Sequence, residues 1–477
     1  MPLHFFRRFN ADSSASGRGI FKKRARRKLR RILPKRAPLD LGFYKMTSVV
    51  EETIYSNIFR ESLSKSNQPE WLKALRREAF DFFTANGFPT PQNEEWKYTN
   101  VREVVSGQWS VFSSQPEANA QIASFVSDES RTSVLVFTNG SFDRNLSNLS
   151  ALNGAEILSF SEAANNEIFR AKLAKSVDFE KNGFTALNTA FIGEGAFLFI
   201  PKDTKIETPI QFLFLAEDGR MSFPRVLVVA ENHAEATIIE TYARRDETKY
   251  LTNAVIEIFL ADEAKLKHYR VQRESHAAFH IGTTGAEINR GSIYDSTNIT
   301  LGARLSRHDI NVRFNAEGGE VFVDGLYLVS EEQHADTHSI IDHKQPNCIS
   351  HQTYKGIVDG KARAVFNGKV FVRENASGTD AKQSNKNLLL SNNARVDTKP
   401  QLEIYNDDVK CAHGATVGQL QEEELFYLLS RGLNENLARN LLTYGFAEEI
   451  VNKIEIESIK KQLDEAVLNR LSANLEM

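Results

Sequence analysis

Two clusters along the 477-residue chain carry side chains able to do chemistry. The first reads His334-Ala335-Asp336-Thr337-His338, followed by His343, Cys348 and His351. If this run is extended, alternate residues share a face, so His334, Asp336 and His338 line up on one side of a strand. Two imidazoles and a carboxylate on one face are a partial ligand set for a transition metal. They serve equally as a ladder of hydrogen bonds, and with no zinc-type spacing around them the structural ladder is the better reading. The second cluster is Asp407-Asp408-Val409-Lys410-Cys411-Ala412-His413-Gly414. Cys411 and His413 stand at i and i+2, so sulfur and imidazole again project from one strand face. Lys410 and His413 would lower the thiol pKa and favour the thiolate as nucleophile or metal ligand. The alternative is a buried structural Cys beside a hydrogen-bonded His.

Counting ligands narrows the chemistry. Iron–sulfur clusters are usually held by about four ligands, mostly thiolates, and the chain has two cysteines, Cys348 and Cys411. A cluster held here would need ligands from another chain. Gly360-Lys361 and Gly368-Lys369 lead into Ala and Val, so no phosphate-binding loop is formed and any nucleotide hydrolysis belongs to a partner. There is no H-E-x-x-H, G-x-S-x-G or paired C-x-x-C. Nothing in the sequence is a self-sufficient active site.

The elements that must position these residues are mostly short strands. From about Ser133 to Gly418, β-rich runs recur between Gly, Asn, Asp and Pro: Ser133 to Phe137, Ala196 to Ile200, Ile210 to Leu215, Val226 to Ala230, Ala236 to Tyr242, Ala254 to Leu260, Lys265 to Val271, Glu320 to Val329, Arg363 to Val372 and Gln401 to Tyr405. Helical periodicity between them is confined to Ser161 to Ala174, which excludes an alternating βαβ fold. A sandwich, a propeller or a solenoid remains, and no blade-length repeat supports a propeller. The late runs read as successive rungs with Gly or Asn at many corners, where positive φ turns the chain. A parallel β-helix is the preferred fold.

Helical signals flank this core. Pro69 fits a first turn and Gly87 a C′ position, with Trp71, Leu72, Leu75, Ala79, Phe82 and Phe83 at helical spacing between them. Asn93 to Thr99 follows as an aromatic, charged connector, read as a packed linker. At the other end Leu425, Leu428 and Leu429 precede Gly432, Leu437, Leu441 and Leu442 precede Gly445, and Ile459, Leu463, Val467 and Leu471 form a last stripe. Three short amphipathic helices with Gly stops either cap the solenoid or form a docking surface. The expected organisation is a basic extension over 1–45, a helical domain over 46–110, a β-helix core over 111–420 and a C-terminal helical domain over 421–477.

Charge and composition exclude several classes. The 59 Lys and Arg nearly balance 62 Asp and Glu. Residues 1–45 nevertheless hold 14 bases and two acids, leaving a body of 45 bases and 60 acids. An acidic body argues against nucleic acid as the main partner. No stretch approaches the roughly 20 apolar residues of a membrane helix. No apolar segment follows the N-terminal positives, so export is not expected and a cytoplasmic location is. The basic segment reads as an organelle transit peptide, as a nucleic-acid or lipid arm, or as sequence upstream of a true start at Met46, the last being preferred.

Several motifs together carry a resemblance. Glu94-Glu95-Trp96-Lys97-Tyr98-Thr99, Asp324-Gly325-Leu326-Tyr327, Gln333 to His338, His343, Ser350 to Gly356, Val365-Phe366-Asn367-Gly368, Gln383-Ser384-Asn385, Leu402 to Gly418 and Ser430-Arg431-Gly432 occur in order. Over about Val49 to Leu468 the chain resembles the SufB/SufD family of iron–sulfur cluster assembly proteins, and SufD more than SufB. SufB-like members carry a cysteine on the rung that here reads Asn385-Lys386-Asn387-Leu388-Leu389, and a Glu-His-Glu type motif where this chain has Cys411 to Gly414. The resemblance implies a right-handed parallel β-helix between helical terminal domains. It also implies a SufB-like partner joined at the β-helix end and a SufC-like ATPase on the C-terminal helices, with Leu425, Leu428, Leu429, Leu437, Leu441 and Leu442 as docking residues. It places Cys411 and His413 at the SufB interface as candidate metal ligands, for iron or a transient iron–sulfur cluster shared with SufB, and leaves room for a flavin through the complex. The competing functions are a β-helix polysaccharide enzyme outside the cytoplasm and a purely structural subunit without metal contact.

Overall fold

The computed structural model describes residues 55–473 except 108, 112–121, 153, 217–218 and 244–246. The basic segment and the expected start at Met46 lie outside the described residues. The core is a parallel β-solenoid of about eight turns. Its strands stack into two sheets of ten strands each. One sheet runs from Val134–Thr138 through Ile210–Leu215, Glu235–Ala243, Lys265–Arg273 and Glu320–Val329 to Val409–Gly418; the other runs from Ala196–Ile200 through Leu251–Leu260, Phe279–Ile288 and His334–His343 to Arg395–Ile404. Pairing between turns is in continuous parallel register, as between Glu320–Val329 and Ile349–Val358.

Corners between strands need positive φ in a small space. Gly360, at φ 59°, is one such position: a Cβ there would come within 2.8 Å of the Glu331 backbone nitrogen on the preceding turn. The lumen is aliphatic and aromatic through the early turns, with Leu198, Val228, Ile256 and Ile258 fully buried. Polar side chains increasingly replace them along the first sheet. Glu240, His268 and Arg270 are buried there, and later Gln352, Gln383 and Asn385. Buried polar groups of this kind persist only where they bond to one another. Accordingly His268 pairs with Glu240 at 2.5 Å and contacts the Tyr294 hydroxyl at 2.8 Å.

Both sheets are also covered outside, as parallel sheets require. The helix over 55–65, helix Glu70–Asn86 and helix Gly183–Ala190 share an aromatic cluster with Leu251, Phe279, Ile281 and Leu305 on the second sheet. Gly183–Ala190 has no counterpart in the hydrophobic periodicity because every one of its residues is buried; Asn182 caps it by accepting from the Phe184 and Thr185 amides. The segment expected as helix over Ser161 to Ala174 is a 3-10 turn followed by the short helix Glu167–Lys172.

The C-terminal helices are Glu422–Ser430, Glu435–Val451 and Glu457–Ala473. Gly432, at φ 91°, ends the first, as expected. Gly445 does not end the second, which continues six residues further because Ala447, Ile450 and Val451 bury against the solenoid. These helices do not cap the solenoid end. Their apolar stripe, including Ile459, Leu463 and Val467, packs on Tyr269, Val271, Ile299, Leu326 and Ile357 along the outer face of the first sheet. Lys453–Asp324 at 2.5 Å and the Lys355–Glu449 ion pair add to the contact.

The two solenoid ends differ. At the first, each sheet finishes in an antiparallel strand, Ser141–Asn148 and Glu156–Ser159. At the other, Arg395–Ile404 and Val409–Gly418 are the last strands, each with one pairing edge unused among the described residues.

Candidate functional site

The open end carries the second chemical cluster. Cys411 and His413 lie on strand Val409–Gly418, which pairs in parallel with Thr379–Leu389 so that Cys411 stands over Ala381 and His413 over Gln383. Val409 and Cys411 pack with Val370, Val372, Ala381 and Leu402, which fixes the odd-numbered face of the strand as lumenal. His413 is on that same face, yet exposed, because no further turn among the described residues covers it. Cys411 is half-buried, and burial pushes its thiol up rather than down, so the lowering expected from Lys410 and His413 does not prevail. Among the described residues no three His, Cys, Asp or Glu side chains converge on a metal-sized position. One soft sulfur and one imidazole at a sheet edge unpaired among the described residues are too few ligands to hold a metal or cluster on their own.

The first cluster does something else. His334, Asp336 and His338 do share the outer face of strand His334–His343, but they bind the connector rather than offer themselves to a metal. Asp336 accepts from the Thr99 hydroxyl at 2.5 Å and from Arg307 at 2.7 Å, and His338 lies 3.0 Å from its other oxygen. His334 meets the same Thr99 hydroxyl at 2.8 Å. Glu95 reaches His338 at 3.4 Å and also pairs with Lys369. Arg307 donates to the Glu95 carbonyl at 2.8 Å and lies under the Trp96 ring at 3.8 Å. Hydrogen bonding from His338 and Lys369 overcomes burial and holds Glu95 down to about 2. Burial opposes charge on His338, but Asp336 outweighs it and raises its pKa. The cluster is a clamp on the segment Glu94 to Thr99. His343 and Cys348 are lumenal and apart from it: burial lowers His343 to about 4, and Cys348 is a core residue. His351 is on the outer face of the other sheet, 3.5 Å from Asp380.

The C-terminal helices leave an apolar surface beside this frame. Leu429, Leu437 and Leu441 are exposed, the last two by about half, whereas Leu425, Leu428 and Leu442 are half-buried. Phe426, 71% exposed, and Tyr427, 57% exposed, extend the patch. Leucine spacing did not indicate these two, although both are large apolar side chains in a helix that begins Glu422-Glu423-Glu424.

Residues 213–446 match the family model described as SUF system FeS cluster assembly, SufBD core domain, and residues 50–212 match the SufBD protein N-terminal region. The chain is 38% identical to an iron–sulfur cluster assembly SufBD family protein of Synechocystis, over 82% of this chain and 89% of that protein. It is 30% identical to the iron–sulfur cluster assembly protein SufD of Escherichia coli, over 81% of this chain and 90% of that protein. It is 27% identical to SufD of Bacillus subtilis, over 88% of this chain and 98% of that protein.

Proposed function

The chain belongs to the SufBD family of iron–sulfur cluster assembly proteins, and from that membership we propose that it is the SufD-type, non-ATPase subunit of a cytoplasmic assembly scaffold. Its open end joins a SufB-like subunit, and Cys411 and His413 face the junction, where His413 binds iron or anchors the nascent cluster and Cys411 assists. Iron and cluster are cargo here, completed by ligands of the partner. The observation that carries the reading is the terminal strand Val409–Gly418, which combines an unused pairing edge with an exposed lumenal imidazole. An unused edge is a template for a strand from another chain.

ATP hydrolysis belongs to a SufC-like partner, which docks on the apolar surface around Phe426, Leu437 and Leu441. The anchored half of helix Glu435–Val451 supports a mechanical link from that surface to the first sheet. A nucleotide-driven change in the partner can shift the junction only through different affinity for its two states. His413→Ala is expected to reduce the iron recovered with the assembled complex while the isolated chain keeps its melting temperature; unchanged iron would remove the assignment. Deleting residues 425–477 is expected to abolish capture of the ATPase, and retained capture would move that contact to the solenoid.

A further inference from the structure

We propose that Gln383 is a positioning residue for His413, holding its imidazole by one nitrogen so that the other faces out of the lumen toward the incoming iron. The inference rests on the reading of His413 given above. Gln383 is the register partner of His413 on the preceding turn and is itself 3% exposed. Its amide is held from below by Gln352, which the Ser339 hydroxyl contacts through both amide atoms, at 3.1 Å from Oε1 and 2.8 Å from Nε2. The Gln383 Nε2 donates to Gln352 Oε1 at 2.7 Å, and Gln352 Nε2 in turn donates to the Ser339 hydroxyl at 2.8 Å. With its nitrogen on Gln352, the Gln383 carbonyl oxygen is buried and has no hydrogen-bond partner. A buried acceptor left without a partner is costly, and the residue stacked over it on the same lumenal face carries an imidazole N–H.

A second feature shows that space is reserved for this amide. Across the lumen, a Cβ on Gly368 would lie 2.3 Å from Gln383 Nε2 and 2.8 Å from its Cδ. Gly368, the glycine of the Val365-Phe366-Asn367-Gly368 motif, is thus the position whose missing side chain admits Gln383. A histidine ligand that donates its second N–H to a carbonyl is fixed in tautomer and ring orientation, and losing such a partner costs about 10–100-fold in metal affinity.

The test uses the full chain assembled with its SufB-like and SufC-like partners, titrated anaerobically with ferrous ion alone. Gln383→Met keeps the length and removes the acceptor; it is expected to weaken ferrous binding about 10–100-fold. Gln383→Glu keeps an acceptor oxygen and is expected to restore most of the affinity, a rescue that a purely structural role would not give. Gly368→Ala, which crowds the amide from the opposite sheet, is expected to reproduce the loss and stands in if Gln383→Met does not assemble. Wild-type affinity in Gln383→Met or Gly368→Ala, with His413→Ala iron-free, overturns the role of Gln383 alone. Wild-type affinity in His413→Ala overturns this proposal together with the reading beneath it.

Discussion

Replacing Arg307 by Met removes the centre of the clamp that fastens the connector to the solenoid. The guanidinium is almost fully buried, bonds Asp309 at 2.8 Å and Asp336 at 2.7 Å, and supports the Trp96 ring. Breaking a buried pair from one side costs about 3–5 kcal/mol, because a charge is left behind without its partner. Asp336 would keep His338 and Thr99, which favours the lower end of that range. The lost stacking on a desolvated Trp adds about 2 kcal/mol. A total of about 5 kcal/mol corresponds to an increase of roughly several thousandfold in local opening. The reporters are the Trp96 and Thr99 amides, which bond the carbonyls of Asn93 and Trp96. Hydrogen exchange of the peptide over 93–99 should accelerate accordingly, while the strands at the lumen keep their protection. Exchange within threefold of wild type would refute the energetic role assigned to this cluster.

His338 has a raised pKa in the folded state, so its stabilising contribution is fully present below about pH 6.5 and is lost as pH rises through the raised value. Exchange at Trp96 should therefore quicken as pH rises through that value after correction for intrinsic rates, and His338→Gln should abolish the dependence; a dependence that survives would place the titration elsewhere. Leu463→Ala should cost about 2–5 kcal/mol by opening a cavity under the last helix, read as a lower melting temperature and faster proteolysis after residue 420. Gly325→Ala should destabilise the lumen, since its Cβ would lie 2.2 Å from the Tyr354 ring; an unchanged melting temperature would show that the ring is free to move.

The strands read correctly from sequence were those with apolar lumenal faces. Glu320–Val329, Arg363–Val372, Ala196–Ile200 and Ile210–Leu215 have the expected limits because Val, Ile and Phe mark the buried side. Thr379–Leu389 was legible only at its end, because Gln383, Asn385 and Asn387 fill the lumen there and carry no hydrophobic signal. Gly445 misled for a related reason: tertiary burial of Ala447, Ile450 and Val451 outweighs the local preference to stop. Of the site, the shared face of Cys411 and His413 was legible from the i, i+2 spacing, as was the structural role of the histidine ladder. That the pair stands on the last turn depends on stacking order, which no local pattern encodes. The raised thiol of Cys411 likewise depends on burial against Val370 and Val372 from other turns.

Under the proposed function, this chain supplies an incomplete site which a partner completes. Iron and acid-labile sulfide measured on the chain purified alone, and again on the chain purified with its SufB-like and SufC-like partners, test it most directly. Both should accompany the complex and neither the chain alone; a stoichiometric cluster on the isolated chain, or none in either preparation, would contradict it.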